Sequence, residues 1–202
     1  MKIEVRIHPT ETRHEFASVE LRVQELDVAA SLDINLESYL RHSRGAAAHA
    51  LDFFFISAVV YGIDKLIGRS HFSNRWTRDL EVSMPVNNVT IWSDASEALT
   101  ESLSFLTGDN WSFEFSETTT NWIQRRRNRR PPTPFPRTPI VSLLSGGLDS
   151  FIGALDFLAE FPDRQLLFAS HYDGNVAGPA GDQNALKQLL NTHYPKRIQH
   201  LQ

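Results

Sequence analysis

The sequence predicts an α/β protein in which an N-terminal α+β domain is followed by the first half of a domain built on a parallel sheet. Three observations support this fold class. One long apolar segment with helical character, Ala46–Ile67, lies among short strand-like segments. A proline-dense segment, residues 131–139, then interrupts the pattern. Beyond it, strand-like and helical segments alternate with short connections, which is typical of a parallel sheet with right-handed crossovers.

Composition and charge restrict the class of protein. The chain of 202 residues has 41% hydrophobic and 22% charged residues, as ordinary globular proteins do. Its net charge of −4 is unevenly distributed, because residues 1–124 carry 10 basic and 18 acidic side chains and residues 125–138 carry six arginines and no acid. The basic charge is therefore local, and general affinity for nucleic acid is not implied.

Other features bear on the compartment. The absence of cysteine excludes disulfide and thiolate chemistry within this chain. The N-terminus lacks the pattern of a signal peptide. The most apolar run, Phe53–Ile63, is about half of the ~20 residues that are needed to span a bilayer. We therefore expect a soluble, cytoplasmic protein with no membrane partner.

The N-terminal domain, residues 1–124, is expected to begin with two paired strands, at 2–7 and within 15–26, where apolar and polar residues alternate. A short helix is expected near Leu36–Leu40. The long helix Ala46–Ile67 is apolar on most faces and is predicted to be the central core helix. The elements predicted after it are a strand at Asp79–Pro85, a short strand or turn at Val89–Trp92, a helix at Ala95–Leu106 capped by Asp94, and a strand at Trp111–Phe115.

Two groups of side chains in this domain allow a functional and a structural interpretation. His49 and Asp52 have the spacing of a metal-ligand pair, but no third ligand is evident, so a partly buried polar edge is favoured. Trp111, Phe113 and Phe115 share one face of a strand. Nucleobases could stack there, but no arginine or lysine lies between the rings. Packing on the long helix is therefore favoured.

A linker, residues 125–138, is predicted to join the two domains. It begins with the arginine cluster Arg125–Arg130 and continues into the proline-dense segment, which favours a stiff, extended conformation. The cluster could bind the phosphates of a nucleic acid or an acidic partner. A solvated flank of the linker is the favoured interpretation.

The C-terminal domain, residues 139–202, follows a strand–helix pattern. Strands are predicted at Ile140–Leu144, Gln165–Ser170 and Arg197–Leu201, with helices at Ser150–Glu160 and from Asp182 to about Asn191. The ligand site of such a sheet lies at the carboxyl ends of its strands. The loop at 145–150 and the glycine-rich segment at 171–181 both fall at that edge.

The first of these loops reads Ser145-Gly-Gly-Leu-Asp-Ser150. Paired glycines let the backbone turn sharply and approach an anion, and the two serine hydroxyls can donate to phosphate oxygens. The carboxylate of Asp149 beside a phosphate suggests a bridging Mg²⁺. Walker, dinucleotide-binding and nucleophile-elbow motifs are absent from the chain. A purely structural turn is the alternative.

These six residues match the SGGxDS signature, and the chain thereby resembles the PP-loop ATP pyrophosphatases, enzymes that cleave ATP between its α and β phosphates. The form of the loop, together with the strand and loop at Phe168–Tyr172, is most similar to the 7-cyano-7-deazaguanine synthases. The long preceding domain is similar to the synthase-like components of bacterial anti-phage defence systems of the Qat type. The resemblance covers residues 139–170 and, for 1–138, general organisation only.

The resemblance implies a set of site residues. ATP would be bound by residues 145–150 and by Ser170 and His171, the latter two near the adenine or ribose. Asp149 and Ser150 would be catalytic, and Asp149 would hold Mg²⁺. The full list of implied ATP-binding residues is Ser145, Gly146, Gly147, Leu148, Asp149, Ser150, Ser170 and His171.

The resemblance also implies the reaction, in which a deazapurine carboxylate is adenylated and then attacked by ammonia or a protein amine, in queuosine-like biosynthesis or in defence. Departures from the family pattern are His171–Gly174, where an Asp-Tyr-Gly-Gln-like stretch is usual, and the lack of zinc-binding cysteines. Zinc is expected only if a cysteine cluster lies outside this chain. A sheet of three strands is about half of the family's sheet, so a longer protein or a partner chain is expected to complete it. The alternatives are a nucleotide-binding subunit without catalysis, in a defence complex, and a tRNA-modifying enzyme.

Overall fold

The computed structural model describes residues 1–8, 16–35, 47–118, 140–171 and 178–201. The chain divides into two compact units, residues Met1–Arg127 and Asn128–Gln202. The predicted helix near Leu36–Leu40 and the predicted linker, with Arg125–Arg130, lie outside the described residues. Both remain predictions.

The first unit contains a mixed sheet of five strands in the order β3-β2-β1-β4-β5. β1 pairs antiparallel with β2 and β2 with β3, whereas β1–β4 and β4–β5 are parallel. The strands predicted at 2–7, 15–26, 79–85 and 111–115 are thereby confirmed, and β3 was not predicted. The strands are β1 Lys2–His8, β2 Phe16–Val23, β3 Val28–Asn35, β4 Asp79–Val86 and β5 Asn110–Glu117.

In the described residues of this unit, three α-helices accompany the sheet: α1 Ala48–Leu66, α2 Val89–Asp94 and α3 Ser96–Thr107. α1 confirms the long core helix. The prediction of a strand or turn at Val89–Trp92 is wrong, because the side chain of Asn88 accepts from the backbone N–H of Ile91 at 3.1 Å and caps a helix there. Within the described ranges, no helix is both long enough and apolar enough to cross a membrane.

The start of α3 also differs from the prediction. Asp94 is the last residue of α2 and does not cap α3, whose N-cap is Ala95, without a side-chain hydrogen bond. The predicted stop is confirmed, because Gly108 ends α3 in the left-handed conformation with φ of 71°. The two helices therefore follow each other with one residue between them.

The core of the first unit lies between α1 and one face of the sheet. Phe55, Ile56, Val59 and Ile63 of α1 are buried together with the inward side chains of the strands. β4 illustrates the alternation, since every second side chain from Leu80 to Val86 is buried. Full burial of an aliphatic side chain contributes about 1.5–3 kcal/mol, so this cluster is the main source of stability of the unit.

The aromatic row on β5 belongs to this core. Trp111 stacks on Phe113 at 6.0 Å, and Phe113 stacks on Phe115 at 5.8 Å between ring centroids. Phe115 in turn contacts Trp92 of α2 at 6.2 Å, and Trp92 stacks on Phe53 of α1. The packing interpretation is confirmed, with the difference that Phe115 contacts the long helix through Trp92 of α2.

The second unit is a parallel sheet in the order β6-β7-β8, with a helix after each of the first two strands. Its predicted elements are confirmed except for the starts of the two helices, which lie at Leu148 rather than Ser150 and at Pro179 rather than Asp182. Gly178 is the N-cap of the second helix. An N–H group at the first helical position has no acceptor within the helix, so proline, which lacks this group, is suited to that position. The elements are β6 Ile140–Leu143, α4 Leu148–Glu160, β7 Leu166–Ala169, α5 Pro179–His193 and β8 Ile198–Leu201.

Both helices of this unit pack on one face of its sheet. Leu158 of α4 and Leu190 of α5 share a buried cluster with Phe168 of the central strand. On the opposite face of the edge strand β6, Val141 and Leu143 are 59% and 77% exposed. Parallel sheets are usually covered on both faces. Within the described part of the chain, the face that carries Val141 and Leu143 is apolar and uncovered at β6.

Candidate functional site

The loop between β6 and α4 depends on its two glycines. Gly146 has a φ of +93°, which side chains other than glycine rarely allow, and Gly147 is the N-cap of α4. A Cβ atom at Gly146 would lie 3.3 Å from Cβ of Asp182 and 3.4 Å from Cγ of Gln183. The backbone of the loop therefore lies directly against the first turn of α5.

The two serine hydroxyls of the loop meet at the N-terminus of α4. Ser150 Oγ donates to the carbonyl of Gly147 at 2.9 Å, and Ser145 Oγ accepts from the N–H of Gly147 at 3.2 Å. The two Oγ atoms are 3.2 Å apart. The first N–H groups of a helix have no acceptor within it and carry partial positive charge, so hydroxyls and N–H groups together can bind an anion with several oxygens.

Asp149 and Leu148 occupy the first turn of α4, and both are exposed. A carboxylate in a first turn stabilises its own helix by about 0.3–1 kcal/mol, which is an ordinary structural role. One carboxylate next to bound phosphates is also the donor set that Mg²⁺ prefers, so the residues present fit that ion. Among the described residues, no three His, Asp or Glu side chains lie together as a ready metal site.

Ser170 lies at the end of β7, and its hydroxyl is engaged within the protein. Its Oγ donates to the carbonyl of Leu144 at 2.8 Å and lies 2.8 Å from His200 Nε2. Because the hydroxyl hydrogen is used on Leu144, His200 donates through Nε2. Ser170 thus links the ends of β6, β7 and β8, while the neighbouring His171 is exposed.

His200 has a lowered pKa, because burial disfavours its charged form and the positive charge of Lys187 lowers the pKa further. The unfolded chain therefore binds the proton more readily than the folded one. Stability from this group is present above the ordinary histidine pKa of about 6.5 and is lost as the pH falls through the lower folded pKa.

We expect the amides of β8 to exchange with solvent faster at pH 5 than at pH 7, after correction for intrinsic exchange. At pH 5 the opened form is stabilised, because there His200 binds a proton that the folded form binds less readily. In a His200→Gln protein, which keeps a donor toward Ser170, this pH dependence should be reduced. Hydrogen exchange measured by mass spectrometry is the test, with His193→Gln as the exposed control. An equal pH dependence in all three proteins would contradict the assignment.

Two residues near the loop were not predicted from the sequence. Gln183 is buried on α5, and its amide nitrogen lies 3.4 Å from the carbonyl oxygen of Ser145 and 3.2 Å from that of His171. His200 is the other. Neither belongs to a local motif, and α5 and β8 each contain other polar residues, so no local signal distinguished these two.

The His49–Asp52 pair of α1 is not a metal site in this structure. Asp52 is 0% exposed, deeper than the predicted partly buried edge, and His49 is exposed. The Asp52 carboxylate accepts from the backbone N–H groups of Asn87 and Asn88 and from Nε1 of Trp92. Both oxygens are therefore used to hold the start of α2 against α1.

Comparison with known proteins found no match. No protein-family model matches the chain, and neither a curated protein nor a solved structure does. The function proposed for the site therefore depends on the residues of the 145–150 loop, their geometry and the sequence resemblance.

Proposed function

We propose that the loop at 145–150 binds the phosphates of ATP in an AMP-forming C–N ligase of the 7-cyano-7-deazaguanine synthase type. One observation carries the proposal. The hydroxyls of Ser145 and Ser150 converge at 3.2 Å on the N-terminus of α4, directly after the carboxyl end of a parallel strand. That edge of a parallel sheet is where such folds bind ligands, and the free N–H groups of a helix N-terminus favour phosphate.

In this proposal each part of the site has a separate role. The N–H groups of residues 148–150 and the Ser145 hydroxyl bind the phosphate oxygens that leave as pyrophosphate. The Ser150 hydroxyl joins them when its hydrogen turns from the Gly147 carbonyl to a phosphate. Asp149 would hold Mg²⁺, which when bound neutralises charge on the departing phosphates. Ser170 and His171, at the end of the neighbouring strand, are proposed to lie near the adenine or ribose.

The proposed reaction has two steps. An oxygen of a deazapurine carboxylate attacks the α phosphorus, the bond to the β phosphate breaks, and pyrophosphate leaves. Ammonia or a protein amine then attacks the activated carbonyl carbon, loses a proton, and releases AMP. Completion of the domain by further elements belongs to the same proposal. It is supported by the exposed Val141 and Leu143, because they lie on a face that parallel sheets normally keep covered.

The test is the nucleotide product formed by the full-length protein with Mg-ATP, a 7-deazaguanine bearing a carboxylate, and ammonium as the amine source. We expect AMP and pyrophosphate, and we expect Asp149→Ala to lower the rate by about 10²–10³, the usual effect of removing one electrostatic contact in an active site. Asp156→Ala, an exposed acid on the same helix, is the matched control and should leave the rate unchanged. Formation of ADP, or full activity of Asp149→Ala, would refute the proposal.

A second candidate function is a nucleotide-binding subunit without catalysis. It is favoured by the open apolar side of β6, because such a surface suits docking to another protein. Tight binding of ATP to the full-length protein, with no AMP formed under any condition tested, would support this function over the ligase.

A further inference from the structure

We propose that Gln183 is a positioning residue that holds the 145–150 loop in its phosphate-binding conformation and couples it to the end of β7. The inference rests on the proposed function in that the loop is the phosphate site. It goes further by naming the residue, on a different helix, that sets the loop's shape. Gln183 lies one turn inside α5 and is 1% exposed.

The side-chain amide of Gln183 lies between two backbone carbonyls. Its nitrogen is 3.4 Å from the oxygen of Ser145 and 3.2 Å from the oxygen of His171. A primary amide carries two N–H donors, so one side chain can serve both carbonyls. Those carbonyls belong to the segments that follow β6 and β7, so one residue connects the two strand ends at the site.

Gly146 and Gln183 are immediate neighbours. A Cβ atom at Gly146 would lie 3.4 Å from Cγ of Gln183, which is van der Waals contact. The same glycine has the positive φ that turns the chain from β6 into α4. The conformation of the loop and the position of Gln183 therefore depend on each other.

The contact with Ser145 fixes the direction of the next N–H group. The peptide unit between Ser145 and Gly146 is planar and trans, so its N–H points opposite to its carbonyl. With the carbonyl held toward Gln183, the N–H of Gly146 is directed to the other side of the peptide. Without the amide, this peptide can rotate, and part of the binding energy of a phosphate would be spent on ordering it.

The experiment compares Gln183→Leu with Gln188→Leu in the full-length protein. Gln188 is an exposed glutamine on the same helix and is the matched control. We expect pyrophosphate with Mg²⁺, and Mg-ATP, to bind about tenfold more weakly to Gln183→Leu, the size expected when one or two hydrogen bonds are lost. The control should bind as the unchanged protein does. Equal affinity in all three proteins would overturn the proposal.

A second variant separates positioning from general damage. Gln183→Glu keeps the size of the side chain but faces two carbonyls with a carboxylate, and burial beside them raises the pKa of a carboxyl group. Once protonated, it regains one donor. Relative to the unchanged protein at each pH, its pyrophosphate affinity should therefore recover between pH 8 and pH 5. Defective binding that does not depend on pH would indicate a merely structural role and overturn the proposal.

A ligand-free measurement distinguishes failure of this inference from failure of the proposed function. Hydrogen exchange at 146–147 should be faster in Gln183→Leu than in Gln188→Leu, with exchange in β7 unchanged. If the unchanged protein binds neither pyrophosphate nor ATP while this difference is seen, the proposed function is wrong and the positioning role stands. If exchange at the loop is the same in both variants, the positioning role is wrong.

Discussion

Replacing Asp109 with alanine is expected to lower the free energy of unfolding of the first unit by about 3–5 kcal/mol, the usual cost of breaking a buried ion pair. Asp109 is almost fully buried in the turn between α3 and β5. Its carboxylate accepts from the backbone N–H of Arg78 at 2.9 Å and from Nη2 of Arg78 at 2.6 Å. Arg69 donates to the same carboxylate at 2.7 Å.

The cost is large because Arg78 cannot reach solvent. Its side chain is 2% exposed, and its guanidinium also donates to the carbonyl of Ile67 at the end of α1. Without Asp109, the buried positive charge of Arg78 keeps Asp64 as its one acidic partner among the described residues. The cluster joins the end of α1 to the starts of β4 and β5, so the loss should affect the whole unit.

Acid should have the same effect as the substitution. Burial alone would raise the pKa of Asp109, but the hydrogen bonds and charge of Arg78, with the charge of Arg69, outweigh burial and hold the pKa below its ordinary value. The resulting stability is present above about pH 4 and is lost as the pH falls through the lower folded pKa. Asp109→Ala should be less sensitive to acid in that range.

Urea unfolding of the unchanged protein, Asp109→Ala and Asp94→Ala measures both effects. Asp94 is an exposed aspartate at the end of α2 and should change stability by less than about 0.5 kcal/mol. A loss below about 1 kcal/mol in Asp109→Ala would show that the arginines find other partners and would contradict the prediction.

Replacing Asp52 with alanine is expected to destabilise the first unit by about 2–4 kcal/mol, because each buried donor left without a partner costs about 1–3 kcal/mol. Nε1 of Trp92 would lose its acceptor at 3.1 Å inside the core, and the backbone N–H groups of Asn87 and Asn88 would lose theirs. α2 would lose the carboxylate next to its positive end.

His49→Ala is the control that distinguishes the two interpretations of this pair. As an exposed residue, His49 should contribute nothing measurable to the unfolding free energy. If the two residues held a metal, both substitutions would lower stability and addition of a chelator would do the same. Thermal or urea unfolding with and without chelator decides between them.

Much of the fold could be predicted because its signals are local. α1 and the alternating strands each carry their pattern within one continuous segment. β3 was missed because, of its described side chains, only Ile34 is fully buried, so its alternation is weak. α2 was missed although Asn88 caps its start locally. The other group that holds this start is Asp52, more than 30 positions away in the chain, and no local pattern indicates that contact.

The candidate site divides in the same way. The loop at 145–150 is six consecutive residues, so its turn and its position before a helix could be predicted from the sequence. Gln183 and His200 reach the site only because β6, β7 and β8 lie side by side in parallel. Contacts of that kind depend on strand order, which the amino-acid pattern of one segment does not contain.

The central position of β1 has a consequence for the order of events during synthesis. Its Ile3 pairs with Val23 on one side and with Val82 on the other. At about 5–20 residues per second, the ribosome needs roughly 3–12 seconds between those two partners. During that time β1 can form a hairpin with β2 and offer its apolar face to the emerging α1, while its other edge has no strand beside it. The alternating charges of Lys2, Glu4 and Arg6 along β1 are suited to keeping that edge from pairing with a neighbouring nascent chain until β4 arrives.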